Sequence, residues 1–203
     1  MLVTSVLLNT SSHEAVVRAG GEEYLITEAD LNDICIAEGD YLTEEQLELL
    51  SARADRLACI KAAFSALSYS DMSSGKLVSK LSRRFGKELS QEVADLLSER
   101  GYINDAELAK RYASDYYNFR RWGPSRIRSE LYSRRFRSED ISEALSEIET
   151  ADHTENIEHL ITAKYDAALL SDPDIRRRAA AYVYRCGYDS SDIYEVIARI
   201  CQE

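Results

Sequence analysis

The sequence predicts a mainly α-helical protein: tandem three-helix repeats in an elongated, curved array, preceded by a small β-containing segment. Three observations predict this. Only 8 glycines and 2 prolines punctuate 203 residues, too few turn-formers for a many-stranded sheet. The β-prone runs are confined to residues 2–8 and 15–26. Further along, similar segments recur at offsets of 51 and 52 residues, and a fixed period of that size marks stacked supersecondary units.

The elements follow in order. LVTSVLL (2–8) and AVVRAGGEEYLI (15–26) read as a hairpin or small sheet with Gly20-Gly21 at its turn. Thr27 opens a short helix with Asp30 at the capping-box position, and Gly39 is expected to end it. Thr43 with Gln46 opens the next helix, whose Leu47, Leu50 and Ala54 share a face. Asn104 with Glu107 and Asp152 with Glu155 mark two further starts. Pro124 after Gly123, and Pro173 after Asp172, suit the first helical position, where a missing N–H costs nothing.

The repeat boundaries come from self-similarity. Ser-Arg-Arg-Phe stands at 82–85 and again at 133–136, preceded by Leu77 and Leu81 in one copy and Ile127 and Leu131 in the other. SEDISEAL (138–145) is echoed by SSDIYEVI (190–197). The expected organisation is an N-terminal segment over 1–56 and helical repeats over 57–103, 104–150 and 151–203. Chance similarity in a helical chain rich in Arg, Ser and Leu is the alternative.

Charge narrows the function classes. The net charge of -11 is unevenly spread: residues 110–137 hold 9 basic and 2 acidic residues, whereas residues 1–58 hold 3 and 12, and residues 138–203 hold 6 and 15. Such segregation suggests a local field aimed at an anionic surface. No stretch approaches the roughly 20 apolar residues of a membrane span. The N-terminus lacks a basic n-region, and none of Cys35, Cys59, Cys186 and Cys201 forms a C-x-x-C pair. The expectation is a cytoplasmic monomer with its thiols reduced, the cysteines serving as small hydrophobes. Phosphate-loop, dinucleotide, zincin and hydrolase-elbow motifs do not occur, and His13, His153 and His159 are scattered. No enzyme and no cofactor are implied.

The candidate binding residues lie on helical faces. Lys76, Lys80, Arg83 or Arg84, and Lys87 fall along one side beside Leu77, Leu81 and Phe85. Arg128, Tyr132 and Arg135 repeat the arrangement, as do Arg178, Tyr182 and Arg185. Arg126 and Arg134 bracket Glu130 at i,i+4 spacing, and these pairs leave Arg120, Arg121, Arg128, Arg135 and Arg137 without a local acidic partner. A guanidinium is a planar fork for carboxylate or phosphate. A merely solvated helix face is the bland reading. Tyr112 and Phe119 are expected in the core, with Tyr117 and Trp122 nearer the surface.

The stretch LLSERGYINDAELAKRYA (96–113), with WGPSRIRSEL (122–131) and SEDISEAL (138–145), resembles RecX, a family of bacterial regulators of the RecA recombinase. The likeness is good over about 57–150, moderate over 151–203, and general over 1–56. The resemblance implies tandem three-helix repeats and a regulator without catalysis of its own. It would bind the RecA–single-stranded DNA filament and chiefly inhibit ATP hydrolysis and strand exchange. The family's Lys-Gly before the hydrophobe closing the second helix of a repeat is replaced here by Arg84-Phe85 and Arg135-Phe136, with only Gly187 retained. The basic residues named above are then the expected contacts: Lys76, Lys80, Arg84, Arg120, Arg121, Arg126, Arg128, Tyr132, Arg134, Arg135 and Arg137. The alternative is a free-standing helical protein that binds single-stranded nucleic acid.

Overall fold

The structure is a computed structural model and describes residues 1–202. It divides into two compact units, one of Met1–Asp71 with Leu77–Tyr102, the other of Met72–Lys76 with the described residues from Ile103 onward. Among the described residues there are ten α-helices and three strands.

In the first unit, β1 (Val3–Asn9), β2 (Glu14–Ala19) and β3 (Glu22–Thr27) form an antiparallel sheet in the order β1-β2-β3. Gly20 and Gly21, at φ 58° and 87°, make the two-residue turn that a side chain would strain. Ala15, Val17 and Ala19 alternate inward on β2, opposite Ile26 and Tyr24 on β3. Their shared face packs on Leu31, Ile34, Ile36, Leu42 and Leu50. α1 (Glu28–Ile34) starts where Thr27 Oγ1 accepts the Asp30 N–H at 3.1 Å. It stops at Cys35 in the left-handed region (φ 54°), four residues short of the expected Gly39. α2 (Glu44–Tyr69) carries a full capping box between Thr43 and Gln46 and runs without a break through residues 56 and 57. Its buried Cys59, Ala63 and Ala66 lie beyond the sheet's core, on a helix that packs against α4 (Lys87–Glu99).

α3 (Ser74–Phe85) ends at Gly86, at φ 79°. This overturns two expectations. The first repeat does have a left-handed glycine after its second helix, one residue beyond Phe85. Lys87 therefore opens α4 and is not on the α3 face. The two Ser-Arg-Arg-Phe copies are also not equivalent. The first lies within α3, while in the second the helix is already over and Arg135 is left-handed at φ 63°.

The second unit holds two helix triplets. α5 (Asp105–Asn118), α6 (Pro124–Ser133) and α7 (Ser138–Glu149) surround one core, in which Ile127, Leu131, Ile141 and Leu145 are fully buried. Each such side chain contributes about 1.5–3 kcal/mol. α8 (Thr154–Thr162), a short 3-10 helix (Ala167–Ser171), α9 (Pro173–Arg185) and α10 (Ser190–Ile200) surround another, built on Ile157, Ile161, Val183, Tyr188 and Ile197. Asn104 caps α5 as expected, and Pro124 and Pro173 are first helical residues. Asp152 caps one residue early, accepting the Thr154 N–H at 2.9 Å while His153 holds the N-cap position. Hydrogen bonding from the Thr154 side chain, then from its N–H, holds the Asp152 carboxyl below its ordinary range.

One contact recurs. The loop closing α6 receives the start of α3: the Ser73 hydroxyl donates to the Arg134 carbonyl at 2.5 Å, and a Cβ on Gly75 would lie 2.5 Å from the Arg135 carbonyl. The loop closing α9 receives the start of α6 in the same way. Gly123 N–H donates to the Cys186 carbonyl at 2.8 Å and Ser125 N–H to that of Gly187 at 3.2 Å. In both cases a glycine lets two backbones meet. Ser74 adds N–H and hydroxyl bonds to the Asp105 carboxylate.

Candidate functional site

The site is built from the end of α5 and from α6. Tyr112 and Tyr116, one turn apart on α5, lie nearly parallel at 6.0 Å. After α5 the chain reverses through Arg121, whose φ of 52° is left-handed. This folds Trp122 back, its N–H donating to the Tyr116 carbonyl at 3.1 Å and its ring stacking on Tyr116 at 4.8 Å. Tyr112, Tyr116 and Trp122 thus form a column of rings.

Three arginines lie against that column. Arg126 sits 4.0 Å from the centre of the Trp122 ring. Arg120 is 5.2 Å from the rings of both Tyr116 and Trp122. Arg134 is 4.5 Å from Tyr112 and 5.7 Å from Tyr116, and its Nε pairs with Glu130 at 3.0 Å. Each stacked cation gains about 0.5–1 kcal/mol at an exposed site. A stacked guanidinium keeps the N–H groups at its edge for a bidentate anion. Burial pushes the Tyr116 phenol above its ordinary range, so the ring remains neutral and its face available to the cations.

The structure sorts the remaining candidates. Arg128 is not free: it pairs with Glu149 of α7, though a solvent-screened pair of this kind is worth little. Arg121 turns away from the ridge. It donates to the Asn156 amide oxygen at 2.6 Å, and its carbonyl accepts the hydroxyl of buried Tyr188 at 3.2 Å. Burial drives the Tyr188 phenol far above its ordinary value. Arg135 and Arg137 are both exposed; Arg135 has no side-chain partner among the described residues, while the Arg137 charge acts on Asp140. Tyr132 is half exposed, its hydroxyl reaching Ser138 at 3.4 Å. The expected Arg126–Glu130 pair gives way to the Trp122 contact. Arg135 no longer shares a helix face with Arg128, because α6 ends at Ser133.

On α3, Lys76 is exposed and belongs to the second unit. Lys80 and Arg84 belong to the first, both exposed, with Arg84 lying 4.8 Å from the Phe85 ring. Phe119 is a further correction: it is 83% exposed rather than in the core. Cys35 and Cys201 are exposed too, so only Cys59 and Cys186 serve as buried hydrophobes. What the sequence reading missed is the ring column itself. Helical spacing puts Trp122 nearer the surface, and the backward turn at Arg121 has no sequence signal. No helix among the described residues is long and apolar enough to cross a membrane.

These features define a protein of tandem three-helix repeats with a small sheet at its N-terminus and a ridge of arginines stacked on aromatic rings. A family model described as RecX, second three-helix domain, matches residues 104–145, the triplet that carries the ridge. A regulatory protein RecX of Deinococcus radiodurans is 32% identical over 149 residues, 72% of this chain and 70% of the relative. One from Clostridioides difficile is 26% identical over 166 residues, 81% of this chain and 76% of the relative. A crystal structure of regulatory protein RecX shares the fold, with a TM-score of 0.77 and 18% identity across 98% of both chains. RecX from Lactobacillus salivarius gives 0.64 and 21%, covering 73% of this chain and 98% of its own. The chain belongs to the RecX family of regulatory proteins.

Proposed function

We propose that this protein binds the RecA–single-stranded DNA filament and restrains its ATP hydrolysis and strand exchange. In this reading the face made by Arg120, Arg126 and Arg134, with Arg135 and Arg137, meets phosphate or carboxylate groups of the filament. The observation that carries it is the stack of three guanidinium groups on three rings, within the segment that matches the family model. Stacking limits the rotamers of each arginine before binding, so less conformational entropy is lost on contact. Several modest contacts along a repeating polymer would add through effective concentration. The helical repeats expected over 57–103, 104–150 and 151–203 would each supply such contacts.

The alternative, a free-standing binder of single strands, finds less support. Such proteins offer bare ring faces to bases. Here the Trp122 ring has Arg126 at 4.0 Å and Arg120 at 5.2 Å, and Tyr116 is buried. Adding the purified protein to the recombinase on single-stranded DNA should lower its ATP turnover at equal or smaller molar ratios. Bare single strands should bind weakly, with affinity falling as salt rises. Unchanged turnover together with tight binding to bare DNA would reject the proposal in favour of the alternative.

A further inference from the structure

We propose that the groove between α9 and α10 is a second docking site, whose occupant is an acidic protein segment that inserts an apolar side chain. The groove does not involve the arginine ridge. Arg177, Ala180, Ala181, Tyr184 and Arg185 line it from α9, and Ser190, Ile193 and Tyr194 from α10. The α9 positions are i, i+3, i+4, i+7 and i+8, one continuous helical face. The groove holds about 320 Å³.

Three observations point to the occupant. The first is shape and polarity. Ala180 and Ile193 are buried and form an apolar floor, while Tyr184 and Tyr194 stand 62% and 52% exposed. The core of this helix triplet is completed without either tyrosine, by Val183, Val196 and Ile197 among others. Two large side chains thus remain outside a finished core, beside a floor of small residues that leaves room for a partner's side chain. The second is charge. Two guanidinium groups and no carboxylate line this groove. The cleft between α5 and α7 sets Lys110 against Glu143 and Glu147, and the cleft beside α6 sets Arg128 against Glu149, Asp189 and Asp192. In those two the carboxylates outnumber the cation, whereas the only charges lining the α9–α10 groove are cations. Arg185 has no side-chain partner among the described residues. Arg177 pairs with Asp174 at 2.9 Å, but both ends are so exposed (79% and 70%) that a carboxylate from outside could displace the pair at little cost.

The third observation separates protein from nucleic acid. A sugar–phosphate backbone would satisfy Arg177 and Arg185 and leave the Ala180–Ile193 floor bare. A base could stack on the rim tyrosines, Tyr184 or Tyr194, but would still leave the Ala180–Ile193 floor uncovered. An apolar side chain flanked by carboxylates uses both the floor and the rim. Tyr and Arg around a small apolar pocket are the residues that dominate protein interfaces, and an amphipathic segment laid along a helical groove is a common mode of recognition.

The test uses the full chain and fluorescein-labelled peptides, without recombinase, so its outcome does not depend on the filament proposal. The probe is a peptide of alternating glutamates and leucines. Its controls replace leucine by serine in one and glutamate by lysine in the other, and labelled oligothymidylate is the nucleic-acid probe. Fluorescence anisotropy should show the acidic leucine peptide binding, with each control weaker by about tenfold or more. Arg185→Glu and Ala181→Trp should each weaken that binding by about tenfold. Both lie at exposed helical positions, so the circular dichroism melt should be unchanged. Arg126→Glu should leave peptide binding intact. Absence of peptide binding, or binding indifferent to Arg185→Glu and Ala181→Trp, would overturn the proposal. So would oligothymidylate that displaces the peptide and is itself lost in Ala181→Trp, which would mark the groove as a nucleic-acid surface.

Discussion

Replacing Arg120 and Arg126 together by glutamate is expected to weaken binding to the recombinase filament by about a hundredfold and to abolish inhibition of its ATPase at equal molar ratio. Each arginine lies against the ring column with its edge available to an anion. A charge-assisted hydrogen bond contributes about 1.5–3 kcal/mol, so losing two costs about 3 kcal/mol even at the low end of that range, or roughly two decades in affinity. The stability cost should be far smaller. Exposed cation–π contacts contribute about 0.5–1 kcal/mol each, and neither residue is in an ion pair among the described residues. Arg128→Glu makes an informative contrast. It leaves the ring column untouched and sets a carboxylate against Glu149, so it should disturb the α6–α7 contact while keeping most of the inhibition. Equilibrium binding to preformed filaments, with thermal melts of each variant, checks both expectations. Full inhibition by the Arg120/Arg126 double variant would remove the ridge from the mechanism.

Gly123→Val should produce the largest loss of stability among single substitutions in the second unit. Gly123 has an ordinary φ of −77°, so its requirement is space rather than backbone freedom. A Cβ there would meet the Gly187 carbonyl oxygen at 2.3 Å, the Gly187 carbonyl carbon at 2.4 Å and the Tyr188 nitrogen at 2.6 Å. All three are backbone atoms, with no flexible end to swing aside. The two hydrogen bonds from Gly123 and Ser125 to this loop would be lost along with the close approach. Severe overpacking with broken hydrogen bonds costs on the order of 3 kcal/mol or more, which lowers the melting temperature of a unit this size by roughly 10 °C. Calorimetry of the purified variant measures this, and a melt within a degree or two of the parent would show that the two helix triplets are not joined as described. Gly75 against the Arg135 carbonyl is the same contact one triplet earlier, so Gly75→Val should behave alike.

How legible this protein was depends on the range of each interaction. The Gly20-Gly21 turn, the Thr43–Gln46 capping box, the Asn104 cap and the prolines opening α6 and α9 were readable because each is decided within a few residues. The arginine-rich run was visible as charge. Its sorting was not. Arg128 finds Glu149 and Arg121 finds Asn156, partners 21 and 35 residues away that only the packing of α6 on α7 and of the α5–α6 turn on α8 brings near. The ring column depends on left-handed backbone at Arg121, a conformation arginine seldom adopts. That turn sends Trp122 back onto Tyr116 and leaves Phe119 in solvent, reversing the order expected from helical spacing. Helix ends are hidden in the same way. Cys35 and Arg135 take left-handed positions where glycine is usual, so glycine marks one stop too late and the two Ser-Arg-Arg-Phe copies look equivalent in sequence though they are not in structure.

The central claim is that the ridge on α5 and α6 faces the filament, and arginine footprinting tests it most directly. Phenylglyoxal modifies accessible guanidinium groups, and mass spectrometry reads each site in the free protein and on the recombinase–single-stranded DNA filament. The account predicts strong protection of Arg120, Arg126 and Arg134 on the filament, with Arg18 on the N-terminal sheet reacting as before. Undiminished modification of those three on a filament whose ATPase is inhibited would contradict it.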